Sequence, residues 1–126
     1  MPKDKVFIPG PNRVFVFGSN TAGIHGAGAA LTAKKKYGAR QRVGEGLQGS
    51  SYALPTKDER IRTLPLDAVR KGVERFLAFA RSRPELTFFV TRVGCGLAGY
   101  TDTDIGPMFV GAPDNCELPE GWGCPL

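Results

Sequence analysis

The sequence is short of the residues that build metal centres and disulfide frameworks. It has one histidine, His25, and three cysteines, Cys95, Cys116 and Cys124, in 126 residues. One imidazole and scattered thiols give no metal-ligand spacing, and an odd cysteine count argues against a disulfide framework. No metal and no cofactor are therefore expected. Long apolar runs are missing too. A membrane-spanning helix needs roughly 18 or more consecutive apolar residues; none occurs, so no membrane partner is expected. The opening residues, Met1 to Lys5, lack the apolar core of a secretory signal, which makes a cytoplasmic location the expectation. Basic residues are absent from the C-terminal part. Residues 93–126 hold five acids and no Lys or Arg, a net −5, whereas residues 1–92 hold all 17 bases against seven acids, a net +10. A basic body suits an anionic partner, and the acidic end argues against a uniform nucleic-acid-binding face.

The 41% hydrophobic content and the length fit one soluble domain with one real core. Residues 1–12, with Pro2, Pro9 and Pro11, read as an extended arm carrying at most an edge strand at Val6-Phe7-Ile8. Residues 113–126 read as an irregular acidic tail, tethered to the body by Trp122. Between them, elements alternate. Arg13-Val14-Phe15-Val16-Phe17 is a continuous apolar run, the pattern of a strand buried on both faces. After a glycine-rich loop, a helix runs from near Ala27 to Tyr37, with lysines in its last turn and Gly38 as its C-cap. Residues 39–50 hold Gly44, Gly46 and Gly49 and read as a mobile loop, a candidate lid. Ser51–Leu54 is a short strand. Leu66, Val69, Val73, Phe76, Leu77 and Ala80 mark one face of the longest helix, Pro65 to Ser82. Leu86–Thr91 is the next strand, and Asp102 or Thr103 caps a short helix. The resulting β-α-β-α-β-α order implies an α/β domain with a mostly parallel sheet, whose ligands bind beyond the carboxyl ends of the strands.

Three stretches leave those ends. The first is Gly18-Ser19-Asn20-Thr21-Ala22-Gly23-Ile24-His25-Gly26-Ala27-Gly28. The second is Pro55-Thr56-Lys57-Asp58. The third is Gly94-Cys95-Gly96-Leu97-Ala98-Gly99-Tyr100, read as a strand, a glycine turn and a helix start. Glycines let the main chain approach a ligand closely, and N–H groups at a helix start hold phosphate. Asn20 offers an amide to a ribose hydroxyl or an acyl oxygen. Lys57 is a candidate nucleophile toward a sugar C1″; its alternatives are a phosphate-binding lysine or a surface lysine paired with Asp58 or Glu59. Cys95 reads as a small buried or loop cysteine, and His25 as an exposed loop residue.

Gly26-Ala27-Gly28-Ala29-Ala30 with Lys34-Lys35-Lys36-Tyr37-Gly38, then Leu54-Pro55-Thr56-Lys57, then Arg92-Val93-Gly94-Cys95-Gly96-Leu97, together resemble the macrodomain superfamily. Within it, they are most similar to the branch of terminal ADP-ribose protein glycohydrolase and of antitoxins that remove ADP-ribose from DNA. The resemblance covers residues 14 to about 110. It implies a three-layer α/β/α sandwich with a mixed, mostly parallel sheet, here reduced in size. It also implies ADP-ribose or a related nucleotide as ligand, and ADP-ribosylated nucleic acid or protein as partner. The ligand-binding set it implies is Ser19, Asn20, Gly26, Ala27, Gly28 and Thr56 with Gly94, Cys95, Gly96, Leu97 and Ala98. The catalytic lysine of that branch maps to Lys57.

The sequence departs from this pattern in two respects. The protein glycohydrolase has an aspartate where this chain has Ala98, so an assisting acid is missing there; Asp102 or Asp58 is the substitute candidate. The strand usually found before residue 14 and a clear last strand after residue 110 are lacking, which reduces the adenine pocket or leaves part of it to a partner chain. Three functions follow: an ADP-ribosyl glycohydrolase, a non-catalytic reader of ADP-ribose or NAD-derived nucleotides, and, third, a nucleic-acid-binding protein.

Overall fold

The computed structural model describes residues 6–123. The first five residues of the expected arm, and Cys124 with the end of the tail, lie outside them. Five strands form one sheet in the order β2-β3-β1-β4-β5. They are β1 (Arg13–Asn20), β2 (Gly46–Gln48), β3 (Ser51–Lys57), β4 (Thr87–Val90) and β5 (Cys116–Glu117). β1 runs parallel to β3 on one side and to β4 on the other; β5 is parallel to β4, and β2 is antiparallel to β3.

The apolar run in β1 is what a strand covered on both faces requires. Val14 and Val16 point to one core and Phe15 and Phe17 to another, because successive side chains alternate across a sheet. On the Phe15 face lies α1 (Gly28–Lys36), which buries little except Ala33. Phe7 completes this smaller core, its ring 5.3 Å from Phe15 and 4.8 Å from Tyr37. On the Val14 face lies α2 (Leu66–Ser82), whose buried stripe is Val69, Gly72, Val73, Phe76, Leu77 and Ala80. Fully burying each of the larger side chains contributes about 1.5–3 kcal/mol. The short α3 (Asp102–Ile105) and a 3₁₀ turn (Gly106–Phe109) extend that layer. The result is three layers, helix on sheet on helix.

Several boundaries differ from the sequence reading. No edge strand forms at Val6-Phe7-Ile8; Phe7 is an anchor for the arm instead. β3 runs past Pro55 to Lys57. A proline is tolerated there because β2 pairs only as far as Ala53 and the next outer-edge pairing, of Thr56 and Lys57 with Leu64 and Thr63, begins after Pro55. The 39–50 segment is a strut rather than a free loop. It contains β2, and the buried Gln48 side chain accepts from Arg40 N and donates to the Val43 carbonyl at 3.1 Å. A last strand, β5, does form within the expected irregular tail. Trp122 anchors that tail, its ring 5.2 Å from Phe109.

Candidate functional site

The carboxyl ends of β1, β3 and β4 open into one cavity of about 460 Å³. Gly18, Ser19, Asn20, Thr56 and Lys57 line its floor, and the loop from Ile24 into the first residues of α1 forms one wall. Thr91 to Gly94 with Gly96, Leu97 and Ala98 form the opposite wall. This is the convergence expected of a parallel sheet whose first strand sits between the next two.

Close packing of small groups makes the floor possible. A Cβ on Gly18 would lie 3.4 Å from Thr56 Oγ1 and 3.6 Å from Gly94 N, so the three strand ends nearly touch. Thr56 Oγ1 donates to the Ser19 carbonyl at 3.3 Å. The β1–β3 register slips at this point: Ser19 pairs with Pro55 but Asn20 with Lys57. The slip leaves Thr56 as the extra residue, and bulges of this kind re-aim the side chains beside them. Lys57, the next residue, lines the cavity and makes no ion pair among the described residues. Its carbonyl accepts from Thr21 N at 3.0 Å, which fixes its backbone against the first loop.

Two sets of N–H groups belong to residues that line this space. α1 begins without a side-chain cap, since Ala27 occupies the cap position and Gly28, Ala29 and Ala30 form the first turn. Their donors have no intrahelical partner, as at any helix start. Across the cavity, Cys95 N donates to the Arg92 carbonyl, and Gly99 and Tyr100 donate to the Gly96 and Gly94 carbonyls within the turn. The N–H groups of Gly96, Leu97 and Ala98 have no protein acceptor among the described residues. The helix after this turn is closed to ligands. Thr101 and Asp104 form a reciprocal capping box at its start, and Asp102 and Asp104 make its first turn acidic.

The predicted site residues divide into those that line the cavity and those that serve elsewhere. Ser19, Asn20, Gly26, Ala27, Gly28, Thr56, Lys57, Gly94, Gly96, Leu97 and Ala98 all line it. Two of them contribute backbone more than side chain. Ser19 Oγ donates to the Gly44 carbonyl. The Asn20 amide closes its own loop, donating to the Ile24 carbonyl at 2.7 Å and accepting from Ile24 N at 2.9 Å. Asn20 thus shapes the wall instead of standing free for a ribose. Cys95 faces away into the larger core, and burial first, then Asp102, pushes its thiol up to about 11. It is a packing residue and not a ready thiolate.

The two substitute acids are also engaged outside the cavity. Asp58 accepts from Arg60 N at 2.8 Å and Arg62 N at 3.0 Å, and pairs with the Arg62 side chain at 3.3 Å. The Arg62 backbone N–H is the main cause that holds its carboxyl below the usual value. Asp102 accepts from Trp122 Nε1 at 2.8 Å and from Arg92. The indole, then the guanidinium, hold its carboxyl down.

His25 is 0% exposed, against the expectation of an exposed loop residue. Its Nε2 lies 2.9 Å from the Arg40 carbonyl and 3.2 Å from the Val43 carbonyl, so Nε2 carries the proton and donates. The ring packs edge-on to Phe17 at 5.3 Å. His25 therefore bolts the 39–44 segment to the glycine loop. Ile24, Ala29, Ala30 and Arg92, which stand in the stretches and motifs singled out from the sequence but outside the implied ligand-binding set, also line the cavity, as does Ile61, which stands in none of them. The helix start was the available signal for Ala29 and Ala30; Ile61 had none, being a lone aliphatic in a charged turn.

No protein-family profile matches the chain, and no curated protein matches it. One solved structure does: DarTG of Thermosipho africanus in complex with ADP-ribose, at a TM-score of 0.58 and 18% identity, over 83% of this chain and 36% of that chain. The fold is macrodomain-like. The match spans only about a third of the neighbour's length, so it concerns the architecture. In this macrodomain-like fold, the three stretches singled out from the sequence share one cleft, and Ala98 sits on its lip with no carboxylate in its place.

Proposed function

We propose that the cavity binds ADP-ribose and that Lys57 releases it from a modified acceptor. The observation that carries this reading is the meeting, in one cavity, of a lysine that makes no ion pair among the described residues and two sets of lining residues whose main-chain donors have no acceptor among them. A diphosphate suits donors on both sides, since each set hydrogen-bonds anionic oxygens without a competing carboxylate. The neighbouring fold in complex with ADP-ribose supports the same ligand class. In the reaction, the Lys57 amine forms a bond to C1″ of the distal ribose. The acceptor leaves C1″ with the bonding electron pair and takes a proton. Water then hydrolyses the C1″–nitrogen link, restoring the amine and freeing ADP-ribose. An acceptor on nucleic acid is favoured by Arg60, which makes no ion pair among the described residues and stands three residues beyond Lys57 in the same turn.

Calorimetry with ADP-ribose tests the binding; no heat at millimolar ligand rejects it. For the chemistry, Lys57→Ala is expected to abolish release of ADP-ribose from modified DNA while keeping affinity for the free nucleotide within a few-fold. Full activity in that variant removes the lysine from the mechanism. The second reading is a non-catalytic reader. Ala98 and the engagement of Asp58 and Asp102 elsewhere favour it. Borohydride trapping of a Lys57 adduct from modified substrate rejects it.

A further inference from the structure

The turn between β3 and α2 holds a residue that pays a conformational penalty with no structural return. Ile61 has φ +62°, in the left-handed region. A β-branched residue there is a genuine outlier, since its Cβ crowds the backbone and only glycine or asparagine enters freely. The turn itself is well specified. Lys57 pairs with Thr63 across it. Asp58 N donates to the Arg62 carbonyl at 2.7 Å, and Ile61 N donates to the Asp58 carbonyl at 3.0 Å. Asp58 also caps Arg60 and Arg62. All of these bonds use groups that glycine at position 61 would leave intact. The side chain of Ile61 is 43% exposed and belongs to neither core cluster.

What the side chain does contribute is a surface of the cavity, which it lines with Ile24 and Leu97. These two are also exposed for aliphatics, at 47% and 76%. Each comes from a different loop, and Thr63 Oγ1 ties the Ile61 turn to the Ala98 carbonyl at 2.7 Å. The three therefore form an apolar rim around the mouth, with Ile61 four residues beyond Lys57 in the same hairpin. Strain retained at a cavity wall is a pointer to function.

The geometry points to Ile61 as a positioning residue that covers the distal ribose and holds it against Lys57. This rests on the reading of the cavity as an ADP-ribose site. A rim of aliphatic groups packs on the apolar face of a sugar and displaces water from it, so the effect belongs to the part of the ligand nearest Lys57. ADP, which lacks the distal ribose, is the discriminating probe.

The test compares ADP-ribose and ADP by calorimetry for the full chain and three variants, with thermal melts of each. Ile61→Asn keeps the left-handed turn without the apolar surface. It is expected to raise the melting temperature and to weaken ADP-ribose about tenfold while leaving ADP unchanged. Ile61→Leu, which keeps an apolar side chain, restores most of the ADP-ribose affinity. Arg42→Gly is the strain control; Arg42 also has a left-handed φ of +72° but does not line the cavity. It is expected to leave both ligands unchanged. Equal loss of ADP and ADP-ribose in Ile61→Asn, or no loss of either, overturns the assignment while the binding site stands. Failure of the unaltered protein to bind ADP-ribose overturns the site itself, and the role of Ile61 with it.

Discussion

Two glycine-rich loops leave adjacent parallel strands in this protein, and they solve the same problem in opposite ways. The loop after β1 leads into a helix of nine residues that begins with Ala27 at the cap and Gly28, Ala29 and Ala30 in the first turn. No side chain among the described residues satisfies its donors. The loop after β4 leads into a helix of four residues that begins with a Thr101–Asp104 capping box and two acids. Its donors are already used and its charge repels anions. The first loop thus offers a helix start to a ligand, whereas the second offers only the turn before the helix, at Gly96, Leu97 and Ala98. In sequence both read as strand, glycine turn and helix; the cap decides which helix end is open.

The largest effect expected from breaking this contrast is on ligand affinity. Ala27→Asp gives α1 the cap it lacks and sets a carboxylate where the diphosphate would sit. Two like charges about 5 Å apart at an intermediate dielectric repel by a few kcal/mol, so calorimetry should show ADP-ribose affinity falling by about 100-fold. The same substitution should stabilise the fold by about 0.5–1 kcal/mol in denaturant melts. Unchanged affinity would mean that the open helix start plays no part in binding.

The converse substitution should produce a smaller effect of a different kind. Thr101→Ala removes the cap of α3 and should cost about 1 kcal/mol of stability in the same melts. Nucleotide affinity should stay within about twofold, because the donors that this cap satisfies do not face the cavity. A large affinity loss would mean that α3 takes part in binding after all.

The smallest effect concerns what α3 does instead. Asp102 holds Trp122 and Arg92, and so fastens the tail to the wall that carries Gly94. Its folded-state pKa is depressed below the ordinary 3.8. Its contribution is therefore fully present above 3.8 and is lost as pH falls through the lower folded value. Trp122, the only tryptophan, should report this as a fluorescence change confined to pH below about 4, where ordinary carboxyls also protonate. Asp102→Asn should remove the pH step while shifting the neutral-pH spectrum. A step that persists in that variant would assign it to another carboxyl.

Much of the scaffold was legible because it follows from periodicity. The four apolar residues of β1 announce burial on both faces, and the Val69–Val73–Phe76–Ala80 spacing announces α2. Lys57 and both glycine loops could be placed at one end of the sheet because parallel strands carry their ligands there. Other features were not legible because they depend on partners distant in sequence. His25 looks like any loop histidine until the Arg40 and Val43 carbonyls meet it. The Asn20 amide looks available until Ile24 folds back on it. Asp102 and Asp58 look like spare acids until Trp122, Arg92 and the Arg60–Arg62 backbone occupy them. β2 and β5 are too short to carry a pattern, and exist only because β3 and β4 present edges to pair with.

The sequence by itself determined which segments are buried, which end of the sheet is rich in glycine, and that a lysine stands just beyond the apolar run Tyr52-Ala53-Leu54. Those are consequences of side-chain polarity and backbone freedom, both local properties. Only the tertiary structure decided which donors remain unsatisfied, which acids are already committed, and that an isoleucine in a strained turn stands at the cavity mouth. Each of these is a question of what lies within hydrogen-bonding or packing distance, and distances across the sheet are set by the fold as a whole.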